Sequence, residues 1–413
     1  MHIIKRDIYL NKLISRKNNS AIKIITGIRR SGKSFLLFNL FYNYLLEQNV
    51  PNDHIIKISL DDDKYESLKD KKVLRAYVEK KIVDDKAYYL FIDEVQMCDG
   101  FEAMLNGLNR IENLDIYVTG SNSKFLSSDI ITEFRGRGDE VRVYPLSFKE
   151  YYSDNELSFN DAWKNFFTYG GLPFILTKKT HEEKRAYLKT LFEYTYIKDI
   201  VERNNLKDEK ALDTLVNILA SAIGSFSSAK KISDTFKSMG YKTTDLTISE
   251  YIKYLLDAFV ISKAQKFDVK GRKYISSPSK YYFTDIGLRN AKLDFRQQEE
   301  NHIMENIIYN ELLIRGFSVD VGMVIDRQRL NDKLNYKQLE IDFVCNDGMQ
   351  KYYIQSVYSI PNSEKMEQET RPLLKIDDSF KKIIIVKDDI NTWITGDGIT
   401  IMGIKEFLLN DHF

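Results

Sequence analysis

The chain has 413 residues, in which 61 Lys and Arg nearly balance 60 Asp and Glu. This length exceeds what one hydrophobic core usually supports, so two or three domains are expected. The charge balance excludes a protein whose whole surface binds nucleic acid or anionic lipid. The two cysteines, Cys98 and Cys345, are far apart in the sequence, which excludes a disulfide framework. The start of the chain is polar and basic, and no long apolar run follows, so we predict a cytoplasmic protein with no membrane segment.

The first 150 residues alternate short apolar strands with helical patterns. The apolar run IKIIT after Ala21 leads into a glycine-bounded loop and then into the helix-like SFLLFNLFYNYLLEQ. Further strand candidates lie at residues 54–60, 88–95, 115–120 and 140–146. This alternation predicts an α/β fold with a mostly parallel sheet covered by helices on both faces.

The loop after the first strand, GIRRSGKS, fits the phosphate-binding pattern G-x-x-x-x-G-K-[ST]. Glycines let backbone N–H groups surround a phosphate, and the next helix directs its positive end at it. In this pattern Lys33 reaches the β and γ oxygens and the Ser34 hydroxyl ligates Mg²⁺. A plain glycine turn is the alternative, but it leaves the flanking strand and helix unexplained. The residues expected to contact ATP or GTP are Gly27, Ile28, Arg29, Arg30, Ser31, Gly32, Lys33, Ser34 and Phe35.

A second acidic motif follows in YYLFIDEV, where Asp93 and Glu94 end an apolar strand. Asp93 is expected to hold Mg²⁺ together with Ser34, and Glu94 to polarise the attacking water. Acidic residues also end hydrophobic strands simply because they favour solvent. The pairing of this motif with a phosphate loop favours the hydrolytic interpretation.

Two further segments carry site candidates with open alternatives. In YVTGSNS, Ser121 and Asn122 are expected to contact the γ-phosphate or orient water, or else to form a plain turn. In EFRGRGDEV, Arg135 and Arg137 are expected to stabilise the transition state, in cis or from a neighbouring subunit of a homo-oligomer. Pairing with surface acids is the alternative for both arginines.

The rest of the chain divides into three predicted regions after the ATPase core of residues 1–150. Residues 151–205 are predicted to form an aromatic-rich helical lid or connector, interrupted by YGGLPF. Residues 206–295 contain three helical patterns and then two basic strands, which is the order of a winged helix. Residues 296–413 open with an amphipathic helix and continue as a small α/β unit.

The motifs ITGIRRSGKSFLL, YLFIDEVQ, VTGSNSKFL, FRGRG, VYPLSFKEY and YGGLP together resemble a large prokaryotic family of AAA-like ATPases with a C-terminal domain of uncharacterised function. The resemblance covers nearly the whole chain and includes the Arg29–Arg30 pair in the loop. It implies an ASCE-type P-loop core, a helical lid, a winged helix and a C-terminal domain similar to the PD-(D/E)xK nuclease fold. The residues to which it assigns nucleotide and hydrolysis roles are Gly32, Lys33, Ser34, Asp93 and Glu94.

A nuclease of that fold needs two or three carboxylates converging on a divalent metal, plus a lysine near the attacking water. Glu305 or Glu311, and then Asp342 in LEIDFV, are the candidate carboxylates. The strand YYIQSVYS carries Gln355 and Val357 where the motif expects Glu or Gln and then Lys, so the lysine is missing. A substitute from elsewhere, such as Lys337 or Lys351, would be an exception. The C-terminal region is therefore predicted to be an inactive nuclease-like domain.

The predicted ribbon carries a positive stripe suited to phosphate contacts, made of Lys263, Lys266, Lys270, Arg272, Lys273 and Lys280. The helix before it has Lys253 as its one base, which disfavours sequence-specific readout. Non-specific DNA contact and protein docking are equal alternatives for the winged helix. The whole chain is predicted to be a Mg²⁺-dependent ATPase acting as a switch or remodelling module on an unidentified partner. The alternatives are an ATP-gated nuclease and a non-specific DNA-binding regulator.

Overall fold

A computed structural model of the protein describes residues 3–120, 134, 136–153, 156–296, 299–330 and 333–411. The chain divides into two compact units. The first comprises Met1–Pro145 with Asp257–Phe259, and the second comprises Leu146–Leu256 with Val260–Phe413. In the part of the chain that the structure describes, no helix is long and apolar enough to cross a membrane.

Within the described residues, the first unit is built on a five-stranded sheet in the order β2-β3-β4-β1-β5, whose neighbouring strands are all parallel. Its strands are β1 (Ile22–Thr26), β2 (Ile55–Ser59), β3 (Tyr88–Asp93), β4 (Leu114–Thr119) and β5 (Gly138–Arg142). The main helices of this unit are α1 (Asp7–Ser15), α2 (residues 33–47), α3 (Lys71–Lys81) and α4 (Phe101–Leu108). The predicted α/β core with a parallel sheet is confirmed.

Both faces of this sheet are covered, because every residue of β1, β3 and β4 is buried. Alternate residues of a strand point to opposite faces, so each face has its own partners. On one face, Phe91 packs against Phe41 of α2, with ring centroids 5.7 Å apart. On the other, Leu90 and Ile92 share a core with Leu105 of α4. This double burial explains why these strands are continuous apolar runs in the sequence.

Helix α2 follows the phosphate loop and is irregular. It begins as an α-helix over Lys33–Phe35, becomes π-helical over Leu36–Phe41 and returns to α-helix over Tyr42–Glu47. Its buried side chains include Leu36, Leu37 and Phe41. π-helical turns are rare and occur frequently beside functional sites.

Among the residues that the structure describes, the second unit contains an eight-stranded mixed sheet in the order β12-β13-β11-β10-β9-β8-β6-β7. Its strands are β6 (Ile261–Asp268), β7 (Lys273–Phe283), β8 (Ser318–Leu330), β9 (Lys333–Asn346), β10 (Lys351–Val357), β11 (Lys381–Val386), β12 (Trp393–Ile394) and β13 (Ile399–Gly403). The predicted basic ribbon is the antiparallel pair β6–β7. It joins the larger sheet because β6 pairs with β8 in parallel, with Lys266 opposite Val321. This long-range pairing has no signal in the ribbon's own sequence.

The helices of the second unit lie before, between and after these strands in the chain. They are α5 (Phe148–Ser153), α6 (Phe159–Tyr169), α7 (residues 181–203), α8 (Glu209–Ser221), α9 (Ala229–Ser238), α10 (Asp245–Asp257), α11 (Ile286–Lys292), α12 (Glu300–Ile314), α13 (Ser363–Leu374) and α14 (Ile404–Leu409). The three helical patterns predicted in residues 206–295 correspond to α8, α9 and α10.

A buried carboxylate explains the first glycine of YGGLPF. Asp285 caps α11 by accepting a hydrogen bond from the Leu288 N–H at 3.1 Å, and it also accepts one from the Gly171 N–H at 2.8 Å. Gly170 has a φ of 74°, and a Cβ placed there would lie 2.2 Å from Asp285 Oδ1. Burial raises the pKa of Asp285 to about 6, although backbone hydrogen bonds, that of Gly171 first, oppose the shift.

We expect the free energy of unfolding to decrease as the pH rises from about 4 to about 6, by about 3 kcal/mol at most from this group. In that window folded Asp285, with its pKa of about 6, still binds a proton that the unfolded chain has released. Asp285→Asn should flatten this slope in urea titrations. Asp208→Asn, the same change at an exposed helix cap, controls for replacing a capping carboxylate by an amide. Equal slopes in wild type and Asp285→Asn would contradict the assignment.

Candidate nucleotide-binding site

The phosphate loop follows β1 directly, and two glycines permit its path. Gly27 has a φ of 135°, and a Cβ at this position would lie 2.0 Å from the Val143 carbonyl oxygen. Gly32 has a φ of 96° and precedes the first residue of α2. Both conformations are strained for residues with side chains. The loop therefore requires glycine at both ends for backbone reasons, before any ligand is considered.

The side chains of the loop divide between the interior and the solvent. Ile28 and Ser31 are buried, whereas Arg29 and Arg30 are exposed. Arg30 adopts a left-handed backbone conformation, with φ 67°, which is uncommon outside glycine. The predicted contact residue Phe35 is half-buried in the first turn of α2.

The ammonium group of Lys33 is held over the loop. Its side chain is 5% exposed, and Nζ donates hydrogen bonds to the carbonyl oxygens of Gly27 at 3.0 Å and Ile28 at 3.2 Å. A cation fixed beside a turn of backbone N–H groups is the arrangement that binds phosphate oxygens.

Asp93 lies at the carboxyl end of β3 and is connected to the phosphate loop. The Ser34 hydroxyl donates a hydrogen bond to Asp93 Oδ1 at 3.0 Å, although 59 positions separate the two residues. Strand β4 lies between β1 and β3 in the sheet, so the side chains meet across a neighbouring strand. Ligands of open α/β sheets bind at this carboxyl edge. The structure thus brings together Lys33, Ser34 and Asp93.

Thr119, the last residue of β4, completes this contact and was not predicted from the sequence. Its buried hydroxyl donates a hydrogen bond to Asp93 and accepts one from the Glu94 N–H at 3.2 Å. The sequence did contain one hint of this contact: Thr119 places a hydroxyl group at the end of the apolar run IYVT, which follows the acidic motif as the next strand. The predicted contacts Ser121 and Asn122, two and three positions further on, lie outside the described residues.

The environment of Asp93 changes its titration. Burial raises the pKa of its carboxyl group, and the charges of Glu94 and Asp61 act in the same direction. Hydrogen bonds from Thr119 and Ser34 oppose this shift without cancelling it. A buried carboxylate of this kind favours a nearby cation, because the cation compensates for the lost hydration.

Glu94 follows Asp93 and leaves the strand in a left-handed conformation, with φ 49° and ψ 47°. This strained geometry turns the chain at the carboxyl edge of the sheet. The Glu94 side chain is half-buried and accepts a hydrogen bond from the Gln96 amide. Glu94 therefore lies beside Asp93, as the acidic motif predicted, with its carboxylate oriented by Gln96.

The two predicted arginines have different outcomes. Arg135 lies outside the described residues. Arg137 is exposed, and its carbonyl oxygen accepts a hydrogen bond from the Ile22 N–H at 2.8 Å, at the amino end of β1. The phosphate loop lies at the other end of this strand, about 16 Å away at ~3.3 Å per residue. The structure does not bring the backbone of Arg137 to the loop of its own chain.

A separate charged cluster in the second unit contains the predicted nuclease residues. Glu305 of α12 and Asp342 of β9 lie around Lys280 of β7, which is 2% exposed. Lys280 Nζ is 2.8 Å from Glu305, 2.5 Å from Glu340 and 3.9 Å from Asp342. The Asp342 N–H contacts the Gln355 amide oxygen at 3.4 Å. A lysine is therefore present after all, from a strand outside the nuclease motif.

This cluster corrects two expectations. Lys280 is buried among carboxylates, so it does not belong to an exposed DNA-binding stripe, and Glu311 pairs instead with Arg315 at 2.9 Å. Burial lowers the pKa of Lys280, but the three carboxylates outweigh this effect and raise it. Burial and the charge of Glu305 raise the pKa of Asp342 well above its usual range. The Lys280 ammonium and the Glu305 carboxylate thus stabilise each other's buried charge, whereas the raised pKa of Asp342 favours its protonated form.

Comparison with known proteins identifies an AAA domain in the region that contains the phosphate loop. A family model for an AAA domain matches residues 19–152, and a domain of unknown function matches residues 160–299. An uncharacterised protein of Haemophilus influenzae is 34% identical over 415 residues, covering 98% of this chain and 99% of that protein. The chain belongs to the same family as that protein. The AAA match contains the phosphate loop and the acidic motif, so this chain carries an AAA-type P-loop ATPase domain.

Two further similarities are more distant. The uncharacterised protein MJ1544 of Methanocaldococcus jannaschii is 29% identical over 409 residues, covering 94% of this chain and 86% of that protein. The solved structure of the Aeropyrum pernix Orc1 protein in complex with DNA is 12% identical, covers 73% of this chain and 94% of that chain, and has a TM-score of 0.30. A TM-score this low carries no inference about function.

Burial raises the pKa of Asp93 above the usual value of an Asp side chain. We therefore expect Mg²⁺-dependent nucleotide binding to weaken on acidification, starting at a pH higher than the usual pKa of Asp. Thr119→Val removes a hydrogen bond that lowers this pKa, so binding should be lost at a higher pH than in wild type. Fluorescent nucleotide titrations from about pH 5 to about pH 8 measure this. Titration of the nucleotide itself affects wild type and Thr119→Val equally, so it does not contribute to the difference between their pH profiles. Thr177→Val, at an exposed position, is the control, and superimposable wild-type and Thr119→Val profiles would contradict the role of Thr119.

Proposed function

We propose that this protein binds Mg²⁺-ATP at the loop from Gly27 to Ser34 and hydrolyses it. The observation that carries the proposal is the convergence of Lys33, Ser34 and Asp93 at the carboxyl edge of the parallel sheet. A strand-to-helix turn of this composition supplies backbone N–H groups and a lysine to phosphate oxygens. The AAA domain match over residues 19–152 supports the same activity.

The donor set beside the loop fits Mg²⁺. This ion prefers oxygen ligands and is usually held by one or two protein groups together with nucleotide phosphates. The Ser34 hydroxyl and the Asp93 carboxylate, 3.0 Å apart, supply such oxygens. When bound, Mg²⁺ neutralises charge on the phosphates. Asp93 would act directly or through water, and Thr119 would keep its carboxylate in place.

Glu94 is the proposed general base. Its carboxylate lies next to the magnesium-binding residue, and Gln96 orients it. A carboxylate at this place can orient a water molecule and accept its proton. Ser121 and Asn122 are proposed to contact the γ-phosphate, and Arg135 or Arg137 to act from a neighbouring subunit, since Arg137 lies at the far end of β1 in its own chain.

We further propose that the nucleotide state drives a switch that acts on a protein partner. The predicted DNA-binding stripe loses Lys280 to the buried cluster, and Lys270 pairs with Asp377 at 3.3 Å. These contacts reduce the positive charge that the ribbon can offer to DNA phosphates, on which non-specific affinity depends. They favour protein docking over DNA contact for the region predicted to be a winged helix.

We expect Lys33→Ala to abolish ATP binding and Glu94→Gln to retain it while slowing turnover at least about a hundredfold. The first variant removes the phosphate-binding cation, and the second removes the base but preserves the fold. Binding of a fluorescent ATP analogue and release of phosphate measure the two effects, with GTP as the competing substrate.

The exposed residues Lys72 and Glu47 offer matched controls. Lys72→Ala and Glu47→Gln should behave as wild type in both assays. If Lys33→Ala binds ATP with wild-type affinity, the loop is not the nucleotide site. If Glu94→Gln turns over ATP at the wild-type rate, Glu94 is not the base.

A metal-dependent nuclease is the second candidate, and the position of Lys280 favours it. Lys280 stands within 4 Å of Glu305, Glu340 and Asp342, so the chemical groups of a nuclease site are together. The same contacts also oppose it, because the ammonium group takes the place of a cation. Across residues 3–411, excluding those that the structure does not describe, no group of three or more His, Cys, Asp or Glu is arranged to hold a metal.

We therefore expect no cleavage of supercoiled or single-stranded DNA by the wild-type protein with Mg²⁺ or Mn²⁺, with or without ATP. Gel electrophoresis of the plasmid after overnight incubation tests this. Cleavage that disappears in Asp342→Asn but persists in Asp347→Asn, a change at an exposed turn, would establish the nuclease instead.

A further inference from the structure

A buried arginine near the start of the chain joins the phosphate loop to the segment after β5. Arg6 precedes α1 and is 3% exposed. Its Nη1 donates a hydrogen bond to the Ser31 carbonyl oxygen at 2.9 Å. Its Nη2 donates to the carbonyl oxygen of Tyr144 at 2.7 Å and contacts that of Pro145 at 3.4 Å. The two nitrogens of one planar guanidinium thus hold two separate pieces of backbone.

Tyr9 fixes the orientation of this guanidinium. The Tyr9 side chain is fully buried, and the Arg6 guanidinium carbon lies 4.6 Å from the centre of its ring. The Tyr9 hydroxyl accepts a hydrogen bond from the Tyr144 N–H at 3.2 Å. Tyr144 is therefore held through both its N–H and its carbonyl group. A cation over an aromatic face adds attraction that grows with burial.

The first residue of the loop contacts the same segment independently. Gly27 approaches Val143 so closely that a Cβ would lie 2.0 Å from the Val143 carbonyl oxygen. The Val143 N–H donates to the Thr26 carbonyl oxygen at 2.8 Å, continuing the pairing of β1 with β5. The loop is thus tied to residues 143–145 at its start by direct packing, and at Ser31 through Arg6.

The planarity of the peptide bond gives this contact a consequence for the ligand. In a trans peptide, the carbonyl of one residue and the N–H of the next point in opposite directions. Because Arg6 holds the Ser31 carbonyl on its own side, the Gly32 N–H must point the other way. Backbone N–H groups of such loops bind the phosphates of the nucleotide.

We propose that Arg6 is a positioning residue of the nucleotide site, which directs the Gly32 N–H at the bound phosphate by holding the Ser31 carbonyl. This inference rests on the proposed function. The phosphate contact exists in both the ground state and the transition state, so its loss weakens nucleotide binding more than it slows the chemical step.

The test uses the full chain and a fluorescent ATP analogue with Mg²⁺. Arg6→Lys keeps the charge but loses the planar fork that reaches two carbonyls. Its Kd should rise about tenfold, the order expected from one lost charge-assisted hydrogen bond, while kcat stays within about threefold. Tyr9→Phe keeps the ring and removes the hydroxyl, so its Kd should rise about two- to threefold. A purely structural role would lower the melting temperature without changing the Kd of the folded protein.

Arg16→Lys is the matched control, because Arg16 caps the other end of α1 and donates a half-buried hydrogen bond to Asp139 at 2.8 Å. It should leave Kd unchanged. If wild type and Lys33→Ala both fail to bind nucleotide, the proposed function fails. Suppose that wild type binds nucleotide and Lys33→Ala does not, while Arg6→Lys and Tyr9→Phe both bind like wild type. The proposed function then stands, and only the inference about Arg6 is overturned. Should Arg6→Lys not fold, a wild-type Kd in Tyr9→Phe overturns it.

Discussion

The buried carboxylate of Asp93 accepts hydrogen bonds from Ser34 at the start of α2 and from Thr119 at the end of β4. These contacts connect three segments of the chain at one edge of the parallel sheet. Burial makes the carboxylate costly in isolation, as its raised pKa shows. The hydroxyl groups offset part of that cost, and a bound cation would offset more. Ser34 and Thr119 bond this one group, and Glu94 follows it directly in the chain.

The phosphate loop is held by backbone contacts that leave little freedom in its path. Gly27 packs on Val143, Arg6 holds Ser31, and Lys33 bonds the carbonyl oxygens at the start of the loop. Such a loop does not need to reorganise when phosphate binds, and this preorganisation improves affinity. The contacts also tie the loop to Tyr144 and Pro145, which precede the second unit in the chain.

The second unit contains charged side chains that are buried next to one another. Lys280 neutralises part of the charge of Glu305 and Glu340, burial favours the protonated form of Asp342, and backbone N–H groups stabilise Asp285. Removing either partner of a buried ion pair destabilises the fold, because the other charge is left buried without compensation. The same residues that suggest a nuclease thus satisfy one another as an internal cluster. This favours a structural role for the cluster.

The sequence alone determined the parallel α/β core and the candidates Lys33, Ser34, Asp93 and Glu94. These features are local, because buried strands are continuous apolar runs and a phosphate loop is eight consecutive residues. It did not reveal Arg6, Thr119 or the position of Lys280, since each acts through partners at least 25 positions away in the chain. An isolated arginine, threonine or lysine has no local pattern. Only the tertiary structure decided which of these side chains meet the loop and the carboxylates, because strand order and side-chain burial arise from long-range packing.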